Sequence, residues 1–251
     1  MSLRIGNRSF APRAWAVVLT AALLAAFVSA GWWQVGRARE KQAMIDAFAR
    51  GTETSVALQG VGVDELARYQ HVSAQGRYDN SRQILLDNMP SSTGQPGFRV
   101  LTPFRRGGGE KLLLVDRGWL PLGVSREQLP VVFVDDDVER TVAGRLDQLP
   151  VPGLRVGPAE APGAAGWPRL MNFPTQHDVE SALGEPVESR ILLLDASNPD
   201  GYQRVWRPSV GFGPERHLGY AIQWFALAIA LVVIFVALSL KRVPPATGEP
   251  R

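Results

Sequence analysis

The chain of 251 residues contains no cysteine. That excludes disulfides, thiolate metal sites and cysteine nucleophiles. Histidine is nearly as scarce: His71, His177 and His217 are all there are. None has the His-x-x-x-His or His-x-Glu spacing of a metal motif. There is no Gly-x-Ser-x-Gly elbow. Gly107-Gly108-Gly109 lacks the Lys-Ser/Thr and the following helix of a phosphate loop, so it reads as a hairpin turn. The 27 Lys and Arg against 24 Asp and Glu leave a net charge of +3, with the arginines scattered rather than clustered. A nucleic-acid footprint needs clustering on a recognisable motif, so no nucleic acid is expected as a partner. Acidic lipid headgroups are the simpler counterpart. No internal repeat is visible. Nothing marks the chain as an enzyme.

Formal charge is missing from two long stretches. Residues 14–36, between Arg13 and Arg37, form an uncharged run of 23 residues, and residues 217–240, between Arg216 and Lys241, one of 24. Each is long enough to span a bilayer. A cleavable signal peptide is the rival reading of the first, because Val28-Ser29-Ala30 resembles a small-residue cleavage site. The length of the run and the position of Trp32-Trp33, where an aromatic belt belongs, favour a retained anchor. Two spans put both termini on one side. The basic N-terminus and the Lys241-Arg242 stop argue that this side is the cytoplasm. The expected layout is therefore residues 1–13 cytoplasmic, 14–36 first transmembrane helix, 37–215 extracytoplasmic (periplasmic) domain, 216–240 second transmembrane helix and 241–251 cytoplasmic tail.

Between the spans the hydrophobic period changes. Residues 37–50 read as a helix continuing the first span and ending at Gly51. His71–Tyr78 and Gln83–Asn88 read as two strands of a hairpin around Asp79-Asn80-Ser81. Gly97–Phe104 reads as a third strand stopped by Pro103. Lys111–Leu120 is a fourth, with the apolar run of a buried central strand. Arg140–Leu146 and Ile191–Asp195 complete the set. Pro150–Pro168 reads as a long surface loop. Thr175-Gln176-His177-Asp178 resembles a capping box, opening a short helix that Gly184 closes. The expected fold is two transmembrane α-helices flanking an extracytoplasmic α+β domain dominated by an antiparallel β-sheet or partial barrel.

Candidate chemistry is sparse. Asp116-Arg117 are strand neighbours that point to opposite faces, unless Gly118 introduces a bulge. An ion pair or turn anchor is the expected role. His71 and His177 stand alone. The mouth of the second span has more company: His217, Tyr220 and Trp224 recur at i, i+3 and i+7 and share a stripe. Gly219, Gln223, Ala226 and Ala230 lie on a neighbouring stripe suited to close helix contact. In the first span Ser29, Trp33, Arg37 and Lys41 share a stripe. Polar groups in a span usually face a partner or cavity. Two readings stay open: interfacial anchoring, or a pocket in which an imidazole ligates a haem iron, with Arg37, Arg39 or Lys41 pairing the propionates.

At these residues the chain resembles the surfeit locus protein 1 family, the cytochrome c oxidase assembly factors, as a bacterial member. The resemblance rests on Gly31-Trp32-Trp33-Gln34 with Arg37 and Lys41, on Gly76 and Tyr78, and on Gly97–Phe104. It continues through Val115-Asp116-Arg117-Gly118-Trp119-Leu120-Pro121, Gly144, Trp167-Pro168 and His217–Phe225. Val151–Gly166 matches nothing in it. Members with Asn before Arg-Gly-Trp make Asp116 a poor catalytic candidate. The resemblance implies a non-enzymatic factor of the inner (plasma) membrane that binds haem a and assists its insertion into subunit I of a haem-copper oxidase. Haem a synthase and membrane lipid are the other partners implied. His217 would be the iron ligand; Tyr220, Trp224, Trp33, Arg37 and Lys41 would complete the cofactor site. The alternative is a cofactor-free membrane scaffold that clamps an oxidase assembly intermediate, with Trp119 available to dock the domain on a membrane or partner.

Overall fold

In a computed structural model, the chain is described over residues 3–5, 8–123, 129–152, 159, 166–208 and 210–242. In chain order the elements are β1 (Leu3–Ile5), β2 (Arg8–Phe10), α1 (Ala14–Arg50), β3 (Ser55–Ala57), β4 (His71–Tyr78), β5 (Ile84–Leu86), β6 (Gly97–Arg106) and β7 (Leu112–Pro121). They continue with β8 (Arg140–Asp147), β9 (Arg169–Met171), α2 (Gln176–Leu183), β10 (Val187–Leu194), α3 (Pro214–Ser239) and β11 (Leu240–Arg242). The chain divides into a helical unit, Met1–Ile45 with Val210–Arg251, and a β unit, Asp46–Ser209. Most of the expected loop Pro150–Pro168, and the ends of the expected N-terminal and C-terminal segments, lie outside the described residues.

α1 and α3 are both long and apolar enough to cross a membrane, and they fit a membrane protein. They pack through small residues two turns apart. Gly31 and Ala38 are buried on α1, Ala221 and Ala228 on α3. The contact face of α3 therefore runs through Ala221 and Ala228 and carries Trp224 and Phe225, which pack on Phe27 and Trp32 of α1. Gly219, Gln223, Ala226 and Ala230, the stripe expected to make close contact, are exposed instead. The aromatic rings select the neighbouring face because they fill the space that Gly31 leaves: a Cβ there would lie 2.6 Å from Phe225 Cε1. At the other end of the pair, β2 is the central strand between β1 and β11 in a small antiparallel sheet. This sheet joins the two ends of the unit.

In the β unit, β4, β8, β10, β7 and β6 form a ring, because β4 returns to pair with β6 over Gly76–Tyr78. All pairs in the ring are antiparallel except β10–β7. This five-stranded partial barrel is the sheet the sequence anticipates. β3 lies on the flank of β4, and β5 and β9 extend from β6. Strand alternation sorts the core into two faces. Val72, Tyr78, Phe104, Leu113, Val115, Val142 and Leu192 pack together on one. Leu101, Leu112, Leu114, Ile191 and Leu193 face the other way, onto Val179 and Leu183 of α2. β7 is buried on both faces, as its unbroken apolar run requires.

Thr175 caps α2 with the anticipated capping box, completed by Asp178, and Gly184 ends it in the left-handed conformation. Two expectations are corrected. β4 and β5 do not form a hairpin: β5 pairs with β6 and, in parallel, with β9. The end of β4 is already occupied by β6, and Ile84, Leu85 and Leu86 are all fully buried. Such a segment belongs between two strands rather than at a half-exposed edge. Nor does Pro103 stop the third strand, which continues to Arg106. Pro103 falls between the stretch facing β5 (Arg99–Leu101) and the stretch facing β4 (Phe104–Arg106), so that flank needs no N–H from it.

Candidate functional site

The helical unit brings His217 against Gln34, with Nδ1 2.7 Å from Oε1. The amide oxygen can only accept, so the imidazole donates from Nδ1, and in the neutral ring this tautomer puts the lone pair on Nε2. Nε2 has no protein partner among the described residues. An imidazole whose second nitrogen is held by an outer acceptor is the arrangement found at histidine metal ligands. Gln34 was legible only as part of a motif, not as a partner of His217; nothing in sequence spacing links positions on two separate helices. Trp224 packs on Phe27 with ring centroids 5.7 Å apart. Tyr220 is largely exposed and Trp33 is 61% exposed. Thus the proposed aromatic stripe divides: His217 and Trp224 turn toward α1, Tyr220 does not. Arg37 pairs with Glu40 one turn on, at 2.6 Å, in a half-exposed ion pair of the kind that exchanges readily. Lys41 and Arg39 have no charged partner among the described residues.

The β unit holds the Arg-Gly-Trp segment. Leu101 faces Asp116 and Arg99 faces Trp119, so Val100 alone opposes Arg117 and Gly118. This is the bulge anticipated from Gly118, whose φ is 111°. The Gly118 N–H donates to Asp116 Oδ1 at 3.0 Å. Asp116 is completely buried and ion-paired with Arg99. Burial pushes its carboxyl upward, against the pull of Arg99 and the Gly118 N–H. With no access to solvent it cannot serve as an acid or base on a substrate.

Arg117 is buried in the opposite direction. Nε donates to the Asp200 carbonyl at 2.7 Å, Nη1 to Gln83 Oε1 and the Val132 carbonyl at 3.1 Å, and Nη2 to the Phe133 carbonyl at 3.1 Å. The guanidinium lies 5.0 Å from the Tyr202 ring centre. Burial lowers its proton affinity, and Tyr202, Tyr78 and Asp200 counter this. Arg117 therefore tethers three loops to β7. Trp119 is not available for docking: it is 9% exposed, and its Nε1 donates to the Met89 carbonyl at 2.7 Å. The bulge turns it inward, and its edge lines a cleft of about 230 Å³ with Pro90, Ser91, Arg99, Gln203 and Trp206.

His71 bridges Ser55 (Nδ1, 2.9 Å) and Asp195 (Nε2, 2.8 Å). Both ring nitrogens are engaged, so it ties β3 to the end of β10 and has none left for a metal.

Fold and sites together define a protein of one class: a partial β-barrel domain flanked in sequence by two helices that fit a membrane, whose paired helices hold an oriented imidazole. A family model described as the SURF1 family matches residues 21–229, which runs from within α1 to within α3, and the chain belongs to that family. It is 30% identical over 232 residues to the Surfeit locus protein 1 of Takifugu rubripes, covering 85% of this chain and 92% of that one. It is 26% identical over 216 residues to a SURF1-like protein of Rickettsia felis (83% and 90%) and 25% identical over 236 residues to the Surfeit locus protein 1 of Xenopus tropicalis (86% and 73%).

Proposed function

We propose that this protein is a non-enzymatic assembly factor for a haem-copper cytochrome c oxidase, and that it holds haem a for insertion into subunit I. Family membership supports the first part. The observation that carries the second is the His217–Gln34 hydrogen bond, which points a free Nε2 lone pair away from α1's amide. When bound, the haem supplies an iron that takes an imidazole ligand. The chain's own contribution is to fix that imidazole in one tautomer and orientation, through Gln34. Tyr220, Trp224 and Trp33 offer aromatic faces to a macrocycle, and Arg37 and Lys41 offer counter-charges to its carboxylates. In this reading the β unit is periplasmic, both termini are cytoplasmic, the membrane is the cell inner membrane, and haem a synthase is the upstream partner.

The test is the absorption spectrum of the protein purified from cells that make haem a, with and without His217→Ala. Haem bound by the parent and lost from a folded variant supports the proposal. A variant with full haem occupancy and full oxidase maturation removes His217 as the ligand.

A second reading is a cofactor-free scaffold that clamps an oxidase intermediate. The cleft beside Trp119 favours it, since Arg99 and Trp206 stack at its wall with the guanidinium 5.1 Å from the ring centre. It expects co-purification with subunit I, no haem in the protein itself, and sensitivity at Arg99 rather than at His217.

A further inference from the structure

At the end of the helical unit remote from His217, a cavity of about 430 Å³ opens between α1 and α3. Its walls are apolar: Leu19, Leu231, Ile234 and Leu238 line it, with Trp15 beside them. Its rim is cationic, carrying Arg13 from α1's approach and Lys241 from β11. Both basic residues are exposed, and neither has an acidic partner among the described residues. None is within reach along the chain: residues 1–39 and 216–248 contain no Asp or Glu. The register of the small sheet sets Ser9 opposite Lys241. The Ala11 N–H donates to the Ser239 carbonyl at 2.9 Å, which holds the two sides of the rim together.

We infer that this cavity is a binding site for one anionic phospholipid, its phosphate held by Arg13 and Lys241 and one acyl chain lying along Leu19, Leu231 and Leu238. Charge complementarity selects the occupant. A zwitterionic lipid brings its own cation to a rim that already has two and no acid, whereas an anionic headgroup neutralises them. The apolar depth selects a lipid over a free phosphate. Basic pockets between membrane helices on the cytoplasmic side recognise lipids by this combination. The inference is independent of haem binding.

Native mass spectrometry of the full-length protein in detergent, offered equal amounts of dioleoylphosphatidylglycerol and dioleoylphosphatidylcholine, reads the preference directly. The anionic lipid should be retained about tenfold over the zwitterionic one, given the attraction each basic residue contributes near such a headgroup. Arg13→Gln with Lys241→Gln should abolish that preference, and Arg13→Lys with Lys241→Arg should keep it. Thr20→Trp, which fills the cavity without touching charge, should lower retention of the anionic lipid. Arg216→Gln, at the far end of α3, should change nothing, and excess glycerol 3-phosphate should not compete. Equal retention of the two lipids by the parent protein overturns the inference. So does an equal loss in the Arg216→Gln variant, full retention after Thr20→Trp, or displacement by glycerol 3-phosphate. If the double Gln variant loses its helical circular dichroism, the parent preference and Thr20→Trp decide the matter.

Discussion

Gln34 and His217 stand on different helices, 183 positions apart in sequence, and meet at 2.7 Å. This single hydrogen bond fixes which imidazole nitrogen is free, and it makes Gln34 a positioning residue for the proposed ligand. Removing such an outer partner typically costs ten- to a hundredfold in affinity for the bound metal. Gln34→Leu should therefore reduce haem retained per protein by about tenfold. Gln34→Glu, which still offers an oxygen acceptor, should retain most of it. The measurement is haem content by absorbance, alongside the position of the Soret band. A Leu variant with the parent's content and spectrum would show that the hydrogen bond only joins the helices.

A second expectation concerns Gly118. Its φ of 111° lies in a region that residues with a side chain rarely adopt, and a Cβ there would sit 2.7 Å from the Gln203 carbonyl oxygen. Arg204 Cγ, at 2.8 Å, belongs to a side chain that can shift, but the Gln203 backbone cannot yield cheaply. Gly118→Ala should cost about 2–4 kcal/mol in thermal or denaturant unfolding. Gly36, within α1, has open space where its Cβ would be. Gly36→Ala should be neutral, or stabilise by up to about 1 kcal/mol. Equal effects at the two glycines would contradict the bulge.

How much of this was readable beforehand depends on the range of the interaction. The two helices, the buried run of β7, the Gly118 bulge and the α2 cap are local patterns, set by residues within a few positions of one another. The barrel's closure is not local: it depends on Gly76–Tyr78 finding Phe104–Arg106, and nothing in either segment names the other. The same holds for β5, whose apolar triplet suits a hairpin arm or an inserted strand equally well. At the site, stripes drawn at helical spacing grouped His217 with Tyr220, but the packing partner decides which side of a stripe turns inward. Gly31, by leaving room for Phe225, rotated the contact toward Ala221 and Ala228. Trp119 illustrates the limit on the β side, since a tryptophan after Arg-Gly reads as an exposed anchor until the bulge and the Met89 carbonyl are known.

The third prediction tests the buried pair at the bulge. Asp116 is wholly enclosed, while the Arg99 side chain keeps 22% of its exposure. Removing the cation should therefore hurt far more than removing the anionic charge. Arg99→Met strands a carboxylate away from water and should cost about 3–5 kcal/mol. Asp116→Asn preserves an oxygen acceptor for the Gly118 N–H and leaves a guanidinium that can still hydrate; about 1 kcal/mol is expected. Combining the two should recover much of the Arg99→Met loss. Strict additivity in the double-mutant cycle would mean that the two side chains are not coupled.

The last prediction follows from Arg82, which joins Asp79 at 2.7 Å to Glu185 at 2.8 Å. Burial pushes the Asp79 carboxyl up, but hydrogen bonds from Ser81 and Arg82, together with the Arg82 charge, hold it below its ordinary value. Hydrogen bonds from Arg105 and Arg82 hold Glu185 low as well. A carboxylate whose folded pKa lies below its unfolded one adds stability above the unfolded pKa. That stability is lost as pH falls through the folded pKa. The ordinary values are 3.8 for Asp79 and 4.5 for Glu185, so the full contribution is present at neutral pH and is lost progressively as pH falls below these values toward the lower folded ones. Arg82→Met removes it at every pH. The parent should exceed the variant by about 1–2 kcal/mol at pH 7, a modest figure because both pairs are partly exposed. The gap should narrow steadily from about pH 4.5 downward. Thermal unfolding of both proteins across pH 3–7 measures it, and a gap that stays constant with pH would locate the effect of Arg82 in packing or in its bond to the Leu183 carbonyl.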